Sequence, residues 1–268
     1  MAHSSTARTR LTTPPRMLTK VPEVTAVFWI IKVLATTVGE TFADYLNETL
    51  GLGLAATSAL MTVLLVGALI VQFRVRRYIP AVYWLSIVLI SVVGTLITGN
   101  LTDNLAVPLW VSTVTFAVLL AATFVAWFSA ERTLSIHSIR TSRREAFYWL
   151  TVLFTFALGT AAGDLLAERL KLGYSLSLVV FAVAIVLVAL LYVVLKLNAV
   201  VAFWIAYILT RPLGASTGDL LSQSPASGGA GLGTTGTSLL FLAVILTLVI
   251  SLSIRDAAGR RLRHLGAS

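Results

Sequence analysis

The sequence predicts an all-α protein: a polytopic membrane bundle of eight transmembrane helices, made of four tandem helical-hairpin repeats in parallel orientation. Three observations lead there. Apolar residues fill 57% of the 268 positions and charged residues only 12%, too few charges to clothe a water-soluble domain of this size. The runs Leu54–Val71, Val111–Phe128, Leu176–Leu195 and Leu239–Ile254 contain no charged residue. Finally, Trp29, Trp84, Trp149 and Trp204 are each followed ten residues later by a glycine: Gly39, Gly94, Gly159 and Gly214. The tryptophans are 55, 65 and 55 residues apart, and a recurrence this long marks an internally duplicated chain.

The elements follow in order. Residues 1–22 are polar and basic and include Pro14 and Pro15, as expected of a disordered tail. They lack the short apolar region and small-residue cleavage site of a secretory signal. A bilayer core of ~30 Å is crossed by about 20 apolar residues at ~1.5 Å rise each. Spans of that length fall at 24–46, 53–73, 81–103, 108–129, 146–168, 174–195, 199–221 and 236–254. They form one membrane domain, 23–255, with repeats at 23–77, 78–134, 143–197 and 198–255, and a tail at 256–268. Only 130–145 and 222–235 leave room between helices. The second of these is uncharged and rich in Gly and Ser (Ser222–Ser238), and is expected to be a flexible connector. It lacks the lysine of a phosphate-binding loop.

Orientation follows from the basic residues. Sixteen of the 20 gather on one side: Arg8, Arg10, Arg16 and Lys20; Arg74, Arg76 and Arg77; Arg132, Arg140, Arg143 and Arg144; Lys196; Arg255, Arg260, Arg261 and Arg263. Arg169 and Lys171 lie on the other side, and Lys32 and Arg211 inside helices. Both termini are therefore expected in the cytoplasm. The net charge of +9 reads as a topology signal and an attraction to anionic lipid. No nucleic-acid partner is expected.

The first helix of each repeat carries the motif. Each tryptophan follows an aromatic residue, Phe28, Tyr83, Tyr148 or Phe203, and the pairs fit an interfacial belt at headgroup level. Each glycine lies ~15 Å deeper, near the bilayer midplane, where it permits close backbone approach between helices. Five residues on stand Asp44, Gly99, Asp164 and Asp219, and four further Glu48, Asp103, Glu168 and Gln223. A separation of four puts both members on one helix face. Two readings stay open for the first set: helix ends bound to water, or an outward-opening carboxylate ring. Such a ring of hard oxygen ligands suits protons or a divalent cation such as Mn²⁺, Mg²⁺ or Ca²⁺.

Deeper polar groups add to the second reading. Glu40, Lys32 and Arg211 lie well inside spans, where an ionised side chain costs about 2.5–3.5 kcal/mol and so requires a partner or a water-filled cavity. Glu40 has Lys32 and Arg211 as candidate partners. Thr36, Thr37, Thr155, Thr210 and Asn100 are expected to line the same cavity. Pro212 is expected to kink the seventh helix beside Arg211. The candidate pathway is thus Glu40, Asp44, Asp164, Asp219, Asp103, Asn100, Lys32 and Arg211. Glu40, Asp44, Asp164 and Asp219 are the hypothetical metal ligands.

Enzyme chemistry is not expected. There is no cysteine, and His3, His137 and His264 lie in tails or a loop. An intramembrane aspartyl protease needs one aspartate pair, whereas these acids recur with the repeat. No catalytic residue and no cofactor are assigned.

The strings KVPEVTAVFWIIKVLATTVGETFADYLN (20–47) and YWLSIVLISVVGTLITGNLTDNL (83–105) carry a resemblance to a bacterial membrane-protein family of four tandem repeats of unknown function. Each of its repeats has two transmembrane segments and a characteristic tryptophan, and the similarity spans roughly 20–255. Gly99 departs from the acidic pattern. The resemblance implies a multi-pass protein of the bacterial cytoplasmic (inner) membrane. The expected function is a secondary transporter or channel-like carrier of a small cation. The alternatives are a non-transporting scaffold or sensor, or a carrier of a small anion bound by Lys32 and Arg211. The lipid bilayer and a small ion or solute are the expected partners.

Overall fold

The computed structural model describes residues 19–265. Most of the expected N-terminal tail, 1–18, lies outside the described residues, as do 266–268 and the side chains of Glu168 and 259–265. Eight helices follow: α1 Ala26–Asp44, α2 Gly53–Arg74, α3 Pro80–Gly99, α4 Leu109–Glu131, α5 Ser142–Asp164, α6 Gly173–Val194, α7 Ala199–Ser222 and α8 Gly233–Leu265. All are long and apolar enough to cross a membrane, and no strand occurs among the described residues. The protein is a multi-pass membrane protein built of four repeats.

Local chemistry sets the helix starts. The side chains of Thr25, Thr141 and Asn198 accept hydrogen bonds from first-turn amides of α1, α5 and α7, which otherwise have no partner. Pro80 opens α3, where its missing N–H costs nothing. One boundary corrects the sequence reading: α8 runs to Leu265 rather than stopping near 254. The charges from Arg255 onward end a membrane span, but charge alone does not end a helix.

The helices form two concentric layers. In the motif helices α1, α3, α5 and α7, 56–72% of the most apolar stretch is buried, against 17–28% in α2, α4, α6 and α8. The inner four close a ring, α1 on α3, α3 on α5, α5 on α7 and α7 on α1. Each outer helix packs on the inner helix of the next repeat: α2 on α3, α4 on α5, α6 on α7, and α8 back on α1. The two helices of a repeat are therefore not each other's main partners, and the hairpins interleave. One buried stripe per outer helix is enough for this, such as Thr57, Met61 and Leu65 on α2.

Three inner helices end in a π-helical turn, at Tyr45–Thr49, Asn100–Asn104 and Leu165–Arg169. Each begins at the residue after Asp44, Gly99 or Asp164. α7 ends without one, and the following segment is no open tether. It makes a turn at Pro225–Ser227, and the amides of Ala230, Gly231 and Leu232 bond back to carbonyls of Leu220, Gln223 and Leu221. Thr49 and Thr234 touch through their hydroxyls at 3.1 Å, so the 45–52 and 222–235 connections share one face. At the opposite, basic face, Lys20 is buried, pairs with Glu145 and donates to the Phe73 carbonyl, while Gln72 holds the other Glu145 oxygen. Sequence reading had placed Lys20 in a disordered tail. Its ammonium is instead the counter-charge of a carboxylate buried on α5.

Candidate functional site

The site is built by register. The motif glycines let each inner helix approach the next: a Cβ on Gly39, Gly94, Gly159 or Gly214 would collide with Ser91, Phe156, Arg211 or Thr36. Each of these obstacles stands seven residues after its own tryptophan, so one contact recurs four times around the ring. The same closure is seen in the aromatics. Phe28 packs on Trp84, Tyr83 on Trp149, Tyr148 on Trp204, and Phe203 on Trp29. The interfacial reading gives only part of the role of Trp84, Trp149 and Trp204, while Trp29 is half-buried and lines a groove on the flank of the bundle. Trp84, Trp149 and Trp204 are 1–4% exposed and face neighbouring rings, contacts that stabilise beyond the area they bury. Beside this layer, burial holds the Tyr78 phenol above its ordinary range, and its hydroxyl accepts from Trp84 Nε1 at 3.2 Å.

Above the aromatic layer the axis is filled by charge. Lys32 is fully buried, its Nζ 4.1 Å from the centre of the Phe156 ring and 4.2 Å from that of Tyr207. It has no hydrogen-bond partner and makes no ion pair with Glu40, which corrects one of the two expected pairings. Ring faces attract an ammonium electrostatically. Arg211 takes the expected role. It donates to Glu40 at 2.8 Å, to Thr160 at 2.7 Å, to Thr95, and to the Thr36 carbonyl at 3.1 Å. Glu40, Thr95 and Thr160 each stand eleven residues after their tryptophan. Three repeats thus supply acceptors from one register position, and the fourth supplies the guanidinium. Thr95 and Thr160 were missed in the sequence, although that spacing marks them. Pro212 sits inside α7 without ending it and packs against Gly159.

Beyond Arg211 a polar cavity of about 190 Å³ extends to the face opposite the basic residues. Glu40, Thr95 and Thr160 form its floor, and Asp44, Asp164, Asp219, Asp103 and Glu48 line it. All four positions of the expected ring converge here, Gly99 included. A Cβ on Gly99 would lie 3.9 Å from Asp103 Oδ2, so the Asp103 carboxylate stands near the gap. Carboxylate oxygens of Glu40, Asp44 and Asp219 lie within 4.8 Å of one another. Asp164 shares the cavity but not that cluster. Asn100 does not enter: its amide bonds to Ser58 at 2.6 Å and to the Leu96 carbonyl, facing α2. Thr36, Thr37, Thr155 and Thr210 cap carbonyls of their own helices and do not line it. A larger groove of about 620 Å³ on the flank of α1, α6 and α7 is lined mainly by aliphatic and aromatic side chains and offers no cluster of ionisable groups.

The family described as Repeat of Unknown Function (DUF347) matches at residues 27–78, 82–133, 147–197 and 202–257. The chain belongs to this family. Every match to the repeat starts two residues before a motif tryptophan, so the family's unit is the register that builds the ring. No curated protein and no solved structure gives a match. The family description names no substrate, and the chemistry of the cavity is the guide to function.

Proposed function

We propose that this protein is a carrier of a small cation, with a divalent metal ion as the favoured cargo. The observation that supports this most directly is the meeting of Glu40, Asp44 and Asp219 at the inner end of a membrane-embedded polar cavity. Carboxylate oxygens suit hard divalent ions, which need several of them at 2.0–2.6 Å. Small shifts of side chains bring groups within 4.8 Å to that range around one ion. The Arg211–Glu40 pair holds the site while it is empty, and the aromatic layer closes the path on the far side. The ring of glycine contacts supplies the surfaces on which one repeat rocks against another. An anion carrier has less support, because Arg211 is already held by Glu40, two threonines and a carbonyl.

In this reading the membrane is the bacterial inner membrane, the basic face is cytoplasmic with both termini, and the cavity opens outward. The protein acts without catalytic residues, cofactor or nucleic acid.

The test is Mn²⁺ flux into proteoliposomes with a quenchable dye inside. Wild-type protein carries Mn²⁺, and Asp44→Asn and Asp219→Asn each reduce flux at least tenfold while eluting as folded protein. Wild-type flux no greater than that of empty liposomes, or unchanged flux in both variants, overturns the proposal.

A further inference from the structure

Lys32 is left without a role by the cavity. On α1 the nearest charge is Glu40, two turns on and held by Arg211. α7 presents the Tyr207 ring and Arg211, which lies within electrostatic reach. α5 presents the Phe156 ring and, towards the basic face, Tyr148, which is hydrogen-bonded to Tyr83 of α3. α8, packed on α1, has no ionisable residue between Gly233 and Ile254. Lys32 is therefore a buried amine gripped by two ring faces, with no acceptor.

A guanidinium does not give up its proton in proteins, whereas a lysine ammonium does so more easily once buried. Arg211 and Glu40 are tied to each other, whereas Lys32 makes neither an ion pair nor a hydrogen bond in this layer. We propose that Lys32 carries the coupling proton: a cation settling among Glu40, Asp44 and Asp219 drives a proton off Lys32, and the proton's return drives the cation out. The step is Lys32–NH₃⁺ giving Lys32–NH₂ and H⁺. One N–H bond breaks, its electron pair stays on nitrogen, and water takes the proton. Cation and proton repel through the packed Arg211 layer, without sharing a ligand. The ring faces of Phe156 and Tyr207 hold the ammonium in the empty state. This inference rests on the cation-carrier reading and names its coupling ion.

The test is Mn²⁺ titration calorimetry on full-length protein in detergent, from pH 6.5 to 8.5. Thermodynamic linkage makes affinity change tenfold per pH unit for each proton released. Wild-type affinity rises with pH more steeply than that of Lys32→Met, by about tenfold per pH unit. Lys32→Met, fixed neutral, binds tightly at every pH, and Lys32→Arg, fixed positive, binds weakly at every pH. In proteoliposomes holding a pH dye, a Mn²⁺ gradient moves protons with wild-type protein and not with Lys32→Met, which passes Mn²⁺ uncoupled. Mn²⁺ binding with equal pH slopes in wild type and Lys32→Met overturns the role of Lys32 alone. Absence of Mn²⁺ binding by wild-type protein overturns the carrier reading and this inference together. If Lys32→Arg does not fold, the comparison with Lys32→Met decides.

Discussion

Arg211 is fully buried, and what it touches decides what its loss does. Removing it strands Glu40 as an uncompensated charge in the bundle, and breaking a buried pair in this way costs about 3–5 kcal/mol. Arg211→Met is thus expected to lower stability by that amount in denaturant unfolding in detergent. Adding Glu40→Gln should restore most of the loss, because the stranded charge goes with it. Losses that simply add would show that the two groups are not coupled. This pair was legible in the sequence, since ionised groups at helix centres must meet something. Lys32 was not, because two aromatic faces took the place of the carboxylate that charge arithmetic suggested. Asn100 was misplaced for a geometric reason. It follows Gly99 by one residue, about 100° around the helix, and that rotation turns it to α2.

At the scale of single helices, the motif glycines and their neighbours set the spacing of the ring. Gly94 faces the Phe156 Cβ and backbone atoms of Phe156 and Ala157 on α5. Overpacking such a contact costs about 1–3 kcal/mol, so Gly94→Ala should lower thermal stability. Gly67 on α2 has nothing within 4 Å of an added Cβ. Gly67→Ala should therefore be neutral or stabilising by up to about 1 kcal/mol, through helix propensity alone. Equal effects at the two sites would contradict the layered arrangement. The sequence exposed the glycine register but not the destination of the tryptophans. An aromatic pair near a helix start serves a headgroup layer or a neighbouring ring equally well, and only the closing geometry chooses. A second register also went unread. Thr57, Ser112, Ser177 and Thr237 are buried hydroxyls near the start of the four outer helices, and the first three stand 28 residues after their tryptophans.

For the molecule as a whole, composition and period were enough to give eight spans in four units. They said nothing of which span packs on which, because a repeat length carries no information about neighbours. Interleaving makes a specific demand on the intact protein. A break in the connection between α4 and α5 leaves α4 to find α5, and α8 to find α1, across the cut. Co-expressed halves should therefore co-purify through a tag on one of them, and either half alone should aggregate or be degraded. Recovery of a monodisperse single half would argue that a pair of repeats is self-sufficient.

The outer contact of α1 is supplied by α8, the helix furthest from it in sequence among the described residues. During synthesis the first span enters the bilayer long before its covering partner has been translated. Until the ribosome has passed residue 254 or so, α1 has that flank bare to lipid. Insertion machinery or a chaperone that shelters early segments would find its client there, and the wait lasts while the six helices between them are made.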